Sequence, residues 1–317
     1  MDNLQFYHVP VLLSQCVEAL HVRPDGIYID GTAGGGGHSQ AIASLLDAGR
    51  LIAIDKDPAA VAAATERLAP YPQAQVVQGD FADLGTILYQ LDIPQVDGIL
   101  LDLGVSSHQL DTAERGFSYH LDAPLDMRMT GNGRSARDVV NTYEITDLVR
   151  IFRRYGDEKY AVPIARKILA AREIQPIEST HELSELIKSS IPAAVRRTGG
   201  HPAKQVFQAI RIEVNGELEH LEQALEQGFE HLKPGGRFAV ITFHSLEDRM
   251  VKQHFAAFCK GCECPPDFPI CICGKSPRAR LVHKKPQTAA PQELAENNRS
   301  RSAKLRTLEK LAQEERE

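Results

Sequence analysis

The chain has 317 residues, of which 43% are hydrophobic and 25% are charged. These proportions are ordinary for a folded protein with a sizeable core, and they exclude a long disordered chain. The length indicates either one large domain with an elaboration or two domains. No apolar run approaches the roughly 18–20 residues that a membrane helix needs, and the first residues lack the basic and apolar regions of a signal peptide. We therefore expect a cytoplasmic protein.

The charge is distributed unevenly along the chain. The net charge of −6 by itself argues against a general nucleic-acid-binding protein. Residues 275–310 nevertheless contain ten Lys and Arg against three Glu, so a basic tail follows an acidic body. This asymmetry fits either a tail that guides the chain onto RNA or a solvated, partly disordered tail.

The N-terminal part of the chain alternates short apolar runs with helical patterns. Strands are predicted at 26–30, 50–55, 75–78 and 97–102, with helices between them at about 39–46, 59–68 and 84–91. Continuous apolar strands that are separated by helices predict a parallel sheet covered on both faces.

The alternation stops after Leu110. From Asp111 to about Ala203 the sequence shows helical apolar spacing and no convincing strand. One or two long helices follow over 207–232, then a turn over 233–236, a strand over 237–243, a helix over 246–258, a polar tail beyond 275 and a possible last strand over 301–306. We predict an α/β fold in which a mostly parallel sheet domain, 1–110 and 204–317, is interrupted by an inserted helical domain, 111–203.

Acidic residues follow each of the first four predicted strands: Asp30, Asp55, Asp80 and Asp102. The carboxyl ends of parallel strands meet at the ligand-binding edge of such a sheet. A glycine-rich turn from Asp30 to Ser39 opens a helix there and lets the backbone approach a ligand closely. Asp55 is placed to accept both hydroxyls of a ribose, and Phe81 is placed to pack on an adenine ring.

These acids discriminate between two nucleotide cofactors. S-adenosylmethionine carries a sulfonium cation and an ammonium group, whereas a nicotinamide dinucleotide carries a pyrophosphate. Carboxylates attract the former and repel the latter, so we predict the methyl donor. Asp30 and Asp80 can instead cap helices, and the glycine-rich turn alone also suits dinucleotide enzymes.

The segment from Asp102 to Ser107 follows the fourth strand, where amino-methyltransferases place the loop that receives the acceptor amine. The N4 amine of cytosine is a weak nucleophile because its lone pair is conjugated with the ring. Asp102 and backbone carbonyls of the loop can accept its hydrogens and localise the lone pair. The sequence Leu103-Gly104-Val105 departs from the usual N4-type loop, which has two prolines and an aromatic residue.

Several longer strings of residues match a known family. The chain resembles the bacterial 16S rRNA (cytosine-N4)-methyltransferase family over nearly its whole length. The matching strings are His8–Leu13, Asp30–Ser39, Asp97–Ser107, Glu114–Ser118, Pro124–Met129, His201–Lys204, Phe207–Asn215 and Thr242–Lys252. The resemblance implies a class I Rossmann-like methyltransferase domain with an RNA-binding helical insert, acting on a cytosine in the decoding region of 16S rRNA within the small ribosomal subunit.

The resemblance also implies which residues contact the methyl donor. Carried onto matching positions, these are Gly36, Gly37, His38, Asp55, Phe81, Asp102 and Gln109. Ser106 and Ser107, in the acceptor loop, are candidate substrate contacts. Asp102 and His244 are the candidate catalytic residues.

Two further segments are candidates for seating the target base, which we expect to be extruded from the RNA. Phe243 is placed to stack on the base, and His244 to orient it or relay a proton. His244 can instead only cap the following helix. Asp126 and Arg128 either seat the base or a flanking phosphate, or pair with each other.

The segment Arg196 to Lys204 is a flexible basic loop within the predicted insert. Arg196, Arg197 and Lys204 are its candidate phosphate contacts. A solvated loop is the ordinary alternative.

Five of the six cysteines lie close together, as Cys259, Cys262, Cys264, Cys271 and Cys273. In a reducing compartment such a cluster indicates a metal site before it indicates disulfides. Four thiolates can bind zinc tetrahedrally, although the C-x-C spacing is tighter than the usual C-x2-C. A structural zinc and free thiols in a loop therefore both remain open, and methyl transfer to an amine needs neither.

Three rival functions follow from the same pattern. The first is a methyltransferase for another RNA or protein amine, and the second is a nicotinamide-dependent oxidoreductase. A third possibility is an RNA-binding protein that retains the fold without catalysis.

Overall fold

The computed structural model describes residues 10–198, 200–262, 264–265, 268 and 272–312. The strands are β1 (Ile27–Asp30), β2 (Arg50–Asp55), β3 (Ala74–Gln78), β4 (Val96–Asp102), β5 (Leu232–Thr242), β6 (Ala279–Leu281) and β7 (Lys304–Lys310). The helices are α1 (Leu13–Leu20), α2 (Gly37–Ala43), α3 (Pro58–Leu68), α4 (Leu84–Gln90), α5 (Ser107–Asp111), α6 (Ala136–Thr142), α7 (Ile145–Gly156), α8 (Ala161–Arg172), α9 (Thr180–Ser190), α10 (Ala193–Thr198), α11 (Lys204–Asn215), α12 (Glu217–His231), α13 (Ser245–Cys259) and α14 (Pro291–Glu296).

These strands form one sheet in the order β3-β2-β1-β4-β5-β7-β6. The pairs from β3 to β5 are parallel, whereas β7 runs antiparallel to both β5 and β6. The chain leaves β1 toward β2 and β3 and later returns to its other side as β4 and β5. The carboxyl ends of β1 and β4 therefore flank the switch point at which such sheets bind ligands.

The sheet is covered on both faces, as the continuous apolar strands predicted. On one face, Ile29, Ile52 and Ile99 pack with side chains from α4, α12 and α13. On the other, Leu51 and Leu100 pack with side chains from α1, α2 and α3. Each fully buried side chain of this size stabilises the fold by roughly 1.5–3 kcal/mol, so the strand ends are held rigidly.

The chain divides into two compact units. The sheet unit comprises the residues up to Gly104 and those from Glu219 onward, and the helical unit comprises Val105–Leu218. The helical segment predicted at 111–203 lies inside the helical unit. That unit also contains α5 and α11, which the prediction had assigned in whole or part to the sheet domain.

The structure differs from the sequence prediction at the turn over 233–236. These residues lie within β5, where Val96 pairs with Leu232 and Gly98 pairs with Arg237. The extra residues bulge opposite Asp97, and Gly235 adopts a φ of 76° that favours glycine. The Nζ of Lys233 holds the bulge through the Oδ2 of Asp97 at 2.7 Å.

The polar tail is also more ordered than its composition predicted. A last strand was expected at 301–306, but β7 covers Lys304–Lys310, and β6 was not predicted. Leu305 and Leu308 are buried, so two apolar positions suffice to add this strand to an existing sheet edge. No helix among the described residues is long and apolar enough to cross a membrane.

Candidate active site

Three acids lie at the carboxyl ends of adjacent strands in the sheet unit. Asp30 ends β1, Asp55 ends β2 and Asp102 ends β4. Asp80 follows β3 and begins a short 3-10 helix over Phe81–Asp83. The structure thus brings the four predicted carboxylates to one edge of the sheet, and their contacts divide them into two kinds.

The carboxylates of Asp30 and Asp80 bind neighbouring residues of the fold. Asp30 is buried, and its Oδ2 accepts a hydrogen bond from the Ser39 hydroxyl at 2.6 Å, which fixes the glycine-rich turn to β1. Asp80 accepts from the Ala82 amide and lies 3.2 Å from Nζ of Lys56 and 2.9 Å from Nδ1 of His220. Its capping and charged partners hold the pKa of Asp80 well below its usual range despite the opposing effect of burial. Asp80 therefore caps a helix, as the alternative interpretation required, whereas Asp30 bonds a side chain of α2 and is not the N-cap of that helix.

The glycine-rich turn lies close to its neighbours. Gly36 has a φ of 75°, which favours glycine, and a Cβ on Gly37 would lie 2.4 Å from Cγ of Pro10. A side chain at either position would force the backbone to shift. The two glycines predicted to contact the methyl donor are thus required by the local fold itself.

Asp55 joins this turn to β2. Its Oδ2 accepts from the Gly34 amide at 2.8 Å, and its Oδ1 accepts from the Asp57 amide at 2.9 Å. Burial raises the pKa of Asp55 to about 6. Each carboxylate oxygen has lone pairs beyond these bonds, so Asp55 can still accept two hydroxyl hydrogens.

Asp102 differs from the other acids because part of its carboxyl group is unused. Its Oδ1 is buried and has no hydrogen-bond partner among the described residues, while 23% of the side chain is exposed. Burial, reinforced by the charges of Asp30 and Glu247, raises the pKa of Asp102 well above its usual range. Such a carboxyl group gains by facing a cation or a hydrogen-bond donor.

His38 is the neighbour of Asp102. Its Nε2 lies 2.9 Å from the carbonyl oxygen of Val11, and its Nδ1 lies 3.7 Å from Oδ2 of Asp102. Burial lowers the pKa of His38 to about 4, so the ring is neutral near pH 7. A carbonyl only accepts, so Nε2 carries the proton and Nδ1 presents its lone pair to Asp102.

The aromatic candidates also lie in the sheet unit. Phe81 is half-buried, with Nζ of Lys56 5.9 Å from its ring centroid. A Cβ on Gly104 would lie 3.5 Å from Cδ2 of Phe243, so that ring lies beside the segment that follows Asp102.

His244 is the N-cap residue of α13. Its Nδ1 accepts from the Glu247 amide at 3.4 Å, and Oε2 of Glu247 accepts in return from the amide of His244 at 3.2 Å. Its Nε2 lies 3.0 Å from Oε1 of Glu247 but is not aligned for a hydrogen bond. The capping role is therefore present, and a catalytic role remains a hypothesis.

In the helical unit, Ser106, Ser107 and Gln109 form the start of α5. The Ser106 hydroxyl accepts from the Gln109 amide at 3.2 Å, and the Gln109 side chain accepts from the Ser106 amide at 3.0 Å. Gln109 is buried, and the Ser107 hydroxyl has no partner among the residues that the structure describes. Ser106 therefore has a structural role as the N-cap of α5, whereas the Ser107 hydroxyl can bind a ligand.

Asp126 and Arg128 bind each other. Nη2 of Arg128 donates to Oδ2 of Asp126 at 2.6 Å, and Nε donates to Oδ1 at 3.1 Å. The pairing interpretation therefore describes this structure, and any role in seating a base would use the pair as a unit.

The basic candidates lie at α10 and the start of α11. Arg197 and Lys204 are exposed, and Nε of Arg196 is buried without a partner among the described residues. The sequence analysis missed an aromatic cluster in the same unit: Tyr119 stacks on His201 with ring centroids 4.4 Å apart and meets Phe207 edge-on at 5.6 Å. Tyr119 directly follows the matched string Glu114–Ser118 and His201 begins the string His201–Lys204, but only the fold brings them together.

Three of the clustered cysteines, Cys262, Cys264 and Cys273, have their Sγ atoms within 4.8 Å of one another. Cys259 ends α13 outside this group. Cys271 lies outside the described residues.

Comparison with known proteins identifies the family. The profile of the MraW methylase family matches residues 5–311. Ribosomal RNA small subunit methyltransferase H of Paenibacillus sp. (strain JDR-2) is 56% identical over 315 residues, which cover 96% of this chain and 100% of that protein. The protein of the same name from Lachnospira eligens is 51% identical over 311 residues, which cover 97% and 99%.

Among solved structures, an rRNA methylase from Streptococcus thermophilus aligns over 96% of this chain and 99% of its own, with a TM-score of 0.44 and 12% identity. The family assignment rests on the sequence relatives, which match at much higher identity. The chain therefore belongs to the MraW methylase family and is an S-adenosylmethionine-dependent methyltransferase.

Proposed function

We propose that this enzyme methylates the N4 amine of a cytosine in the decoding region of 16S rRNA, within the small ribosomal subunit in the cytoplasm. The name that the relatives carry, ribosomal RNA small subunit methyltransferase H, supports RNA as the class of substrate. The observation that carries the proposal is the unpartnered Oδ1 of Asp102 at the end of β4. An amine with two hydrogens supplies the donor that this oxygen lacks.

The residues of the sheet unit fit S-adenosylmethionine. Asp55 would accept the ribose hydroxyls, Phe81 would pack on the adenine, and Gly36, Gly37 and His38 would line the donor's amino-acid end. Gln109, in the helical unit, is the remaining proposed donor contact. The bound donor supplies a methyl group activated by a positively charged sulfur. Negative charge from Asp55 and Asp102 favours binding of that cation.

Asp102 is the proposed catalytic residue. An ionised carboxylate would accept a hydrogen bond from the N4 amine and return electron density to the nitrogen. It would take the amine proton as the carbon–nitrogen bond forms and the methyl carbon–sulfur bond breaks, which leaves S-adenosylhomocysteine. The raised pKa of Asp102 suits a group that must accept this proton near neutral pH. The neutral His38 ring presents a lone pair, not a positive charge, 3.7 Å from Oδ2 of Asp102, so it does not oppose protonation of that carboxylate.

Phe243 and His244 are proposed to position the target base. Phe243 would stack on the extruded cytosine, because aromatic side chains bind unstacked bases by their faces. His244 would orient the base from the N-cap of α13.

The helical unit is the proposed RNA-binding part of the chain. Arg196, Arg197 and Lys204 would contact phosphates, and their positive charge would steer the enzyme to RNA. Ser106, Ser107, Asp126 and Arg128 would contact nucleotides that flank the target base. Tyr119 offers an additional stacking surface.

The test is transfer of tritium from labelled S-adenosylmethionine to small ribosomal subunits that lack their own decoding-site methyl groups, followed by nucleoside analysis. Label in N4-methylcytidine is expected, with loss in Asp102→Ala and retention in the exposed control Asp25→Asn. Label in another nucleoside would overturn the cytosine assignment. A protein that binds the donor but transfers no label to subunits or naked RNA would overturn the RNA assignment.

A further inference from the structure

The loop between α13 and β6 brings together three thiol groups that methyl transfer does not use. Sγ of Cys273 lies 3.7 Å from Sγ of Cys262, and all three Sγ atoms of Cys262, Cys264 and Cys273 lie within 4.8 Å of one another. The 3.7 Å separation is far longer than the roughly 2.05 Å of a disulfide. The two sulfurs are therefore close neighbours that are not bonded to each other.

This spacing matches a set of thiolates around one tetrahedral ion. Zinc–sulfur bonds are about 2.3 Å long, so the edge of a regular tetrahedron of such ligands is about 3.8 Å. The distance between Cys262 and Cys273 agrees with that edge. A four-iron cluster with one thiolate on each iron would hold the cysteine sulfurs farther apart than a single ion does.

Backbone amides are already directed at two of these sulfurs. The Cys264 amide donates to Sγ of Cys262 at 3.4 Å, and the Ile272 amide donates to Sγ of Cys264 at 3.4 Å. Hydrogen bonds of this kind stabilise negative charge on sulfur, and outer-shell bonds of this sort accompany protein metal sites. The loop is therefore arranged for thiolates.

The described apolar side chains of this loop add little buried surface. The apolar side chains of Phe268 and Ile272 are 48% and 75% exposed, so they contribute no core. The Arg278 amide donates to the Phe258 carbonyl at 2.9 Å and closes the base of the loop.

We propose that Cys262, Cys264 and Cys273 bind one structural zinc ion, a site that lies beyond the proposed function. The three thiols release their protons to solvent as the zinc–sulfur bonds form, and no electron transfer is involved. A fourth ligand completes the tetrahedron. Soft thiolate ligands in tetrahedral geometry select zinc over magnesium or calcium.

The test measures metal in the full-length chain, purified without a histidine tag from zinc-supplemented cells. Mass spectrometry is expected to find about one zinc per chain in the unaltered protein. Cys262→Ser, Cys264→Ser and Cys273→Ser are each expected to lose it. Cys16→Ala removes a thiol buried in the core of the sheet unit and is expected to keep it.

A second measurement keeps the proposal testable if a variant fails to fold. The unaltered protein is stripped of metal with a chelator and titrated with Co²⁺, whose spectrum reports its ligands. Thiolate-to-cobalt charge-transfer bands and intense tetrahedral bands, abolished by equimolar Zn²⁺, are expected. Serine variants of Cys259 and Cys271 then identify the fourth ligand.

Three results would overturn the proposal. The first is an unaltered protein that contains no zinc and binds neither Zn²⁺ nor Co²⁺ after reduction. The second is iron with inorganic sulfide in place of zinc. The third is full zinc content in all three serine variants.

Discussion

His38 Nδ1 faces Asp102 Oδ2 at 3.7 Å, while His38 Nε2 lies 2.9 Å from the carbonyl oxygen of Val11. The two pKa shifts are consistent with each other, because burial keeps His38 neutral and favours the protonated form of Asp102. At 3.7 Å the two atoms are too far apart for a hydrogen bond, but a protonated Asp102 faces the Nδ1 lone pair without charge repulsion. If Asp102 ionised with no cation nearby, its negative charge would face the lone pair on Nδ1 of His38, which is unfavourable.

The first prediction concerns Asp102→Asn. The amide keeps the shape of the carboxyl group but cannot accept a proton, so methyl transfer is expected to fall by about 100-fold or more. Because the pKa of Asp102 is raised by folding, its ionisation costs stability, and this cost is fully present above the folded-state pKa. The variant is therefore expected to melt no lower than the unaltered protein at alkaline pH. Thermal unfolding across pH and tritium transfer measure the two effects.

A variant that melts far below the unaltered protein at alkaline pH would contradict the expectation that the ionised Asp102 destabilises the fold. Activity close to that of the unaltered protein would contradict the catalytic role.

The second prediction concerns Asp55, whose pKa is raised to about 6. The ionised form accepts two ribose hydroxyls, so the affinity for S-adenosylhomocysteine is expected to fall about tenfold per pH unit below that pKa. S-adenosylhomocysteine is used in place of the methyl donor because its sulfur is uncharged. Its affinity therefore does not depend on an attraction between a sulfonium and Asp102. Asp55→Asn is expected to weaken binding roughly 10- to 100-fold at neutral pH and to flatten the pH profile.

Calorimetric titrations between pH 5 and 8 would measure this profile, with the exposed Asp25→Asn as control. An Asp55→Asn profile as steep as that of the unaltered protein would show that another group titrates.

The strand-end acids could be predicted from the sequence because the apolar run of a buried parallel strand stops where the strand leaves the core. Three strands end at an acid and the third strand in the chain is followed two residues later by Asp80, and the fold requires those ends to share an edge. The contact between His38 and Asp102 could not be predicted, since it depends on β1 and β4 being neighbours in the sheet. The matched strings placed both residues in the site without indicating this pairing.

Other features could not be predicted from the sequence because they depend on contacts made only in the folded chain. Asp126 and Arg128 are separated by one residue, and the sequence does not distinguish a pair from two separate ligand contacts; the structure shows the pair. The bulge in β5 depends on Asp97 opposite it. The spacing of the cysteine sulfurs depends on the path of the loop, which sequence spacing alone does not determine.

The third prediction separates the two roles of His244. Asn is a favourable N-cap residue, so His244→Asn is expected to keep the melting temperature close to that of the unaltered protein. His244→Ala removes the cap and is expected to cost about 1 kcal/mol of unfolding free energy. If His244 also orients the base, both variants lose activity on small subunits while their donor affinity is unchanged.

Single-turnover methylation and thermal unfolding on the same preparations would measure this. Full activity in His244→Asn, with a loss only in His244→Ala, would leave the histidine as a cap and nothing more.

The fourth prediction concerns the exposed cations Arg197 and Lys204. A side chain that neutralises one phosphate changes the slope of log affinity against log salt by about 0.7 for single-stranded and 0.9 for duplex nucleic acid. Arg197→Gln and Lys204→Gln are each expected to reduce the slope by about that amount and to weaken binding most at low salt. Lys167→Gln, which changes an exposed lysine on α8, serves as the matched control.

Filter binding of catalytically inactive Asp102→Asn protein to 16S rRNA across a salt series would measure the slopes. Unchanged slopes in both variants would place the phosphate contacts elsewhere on the chain, whereas a reduced slope with unchanged melting temperature would show that these side chains contact RNA rather than stabilise the helical unit.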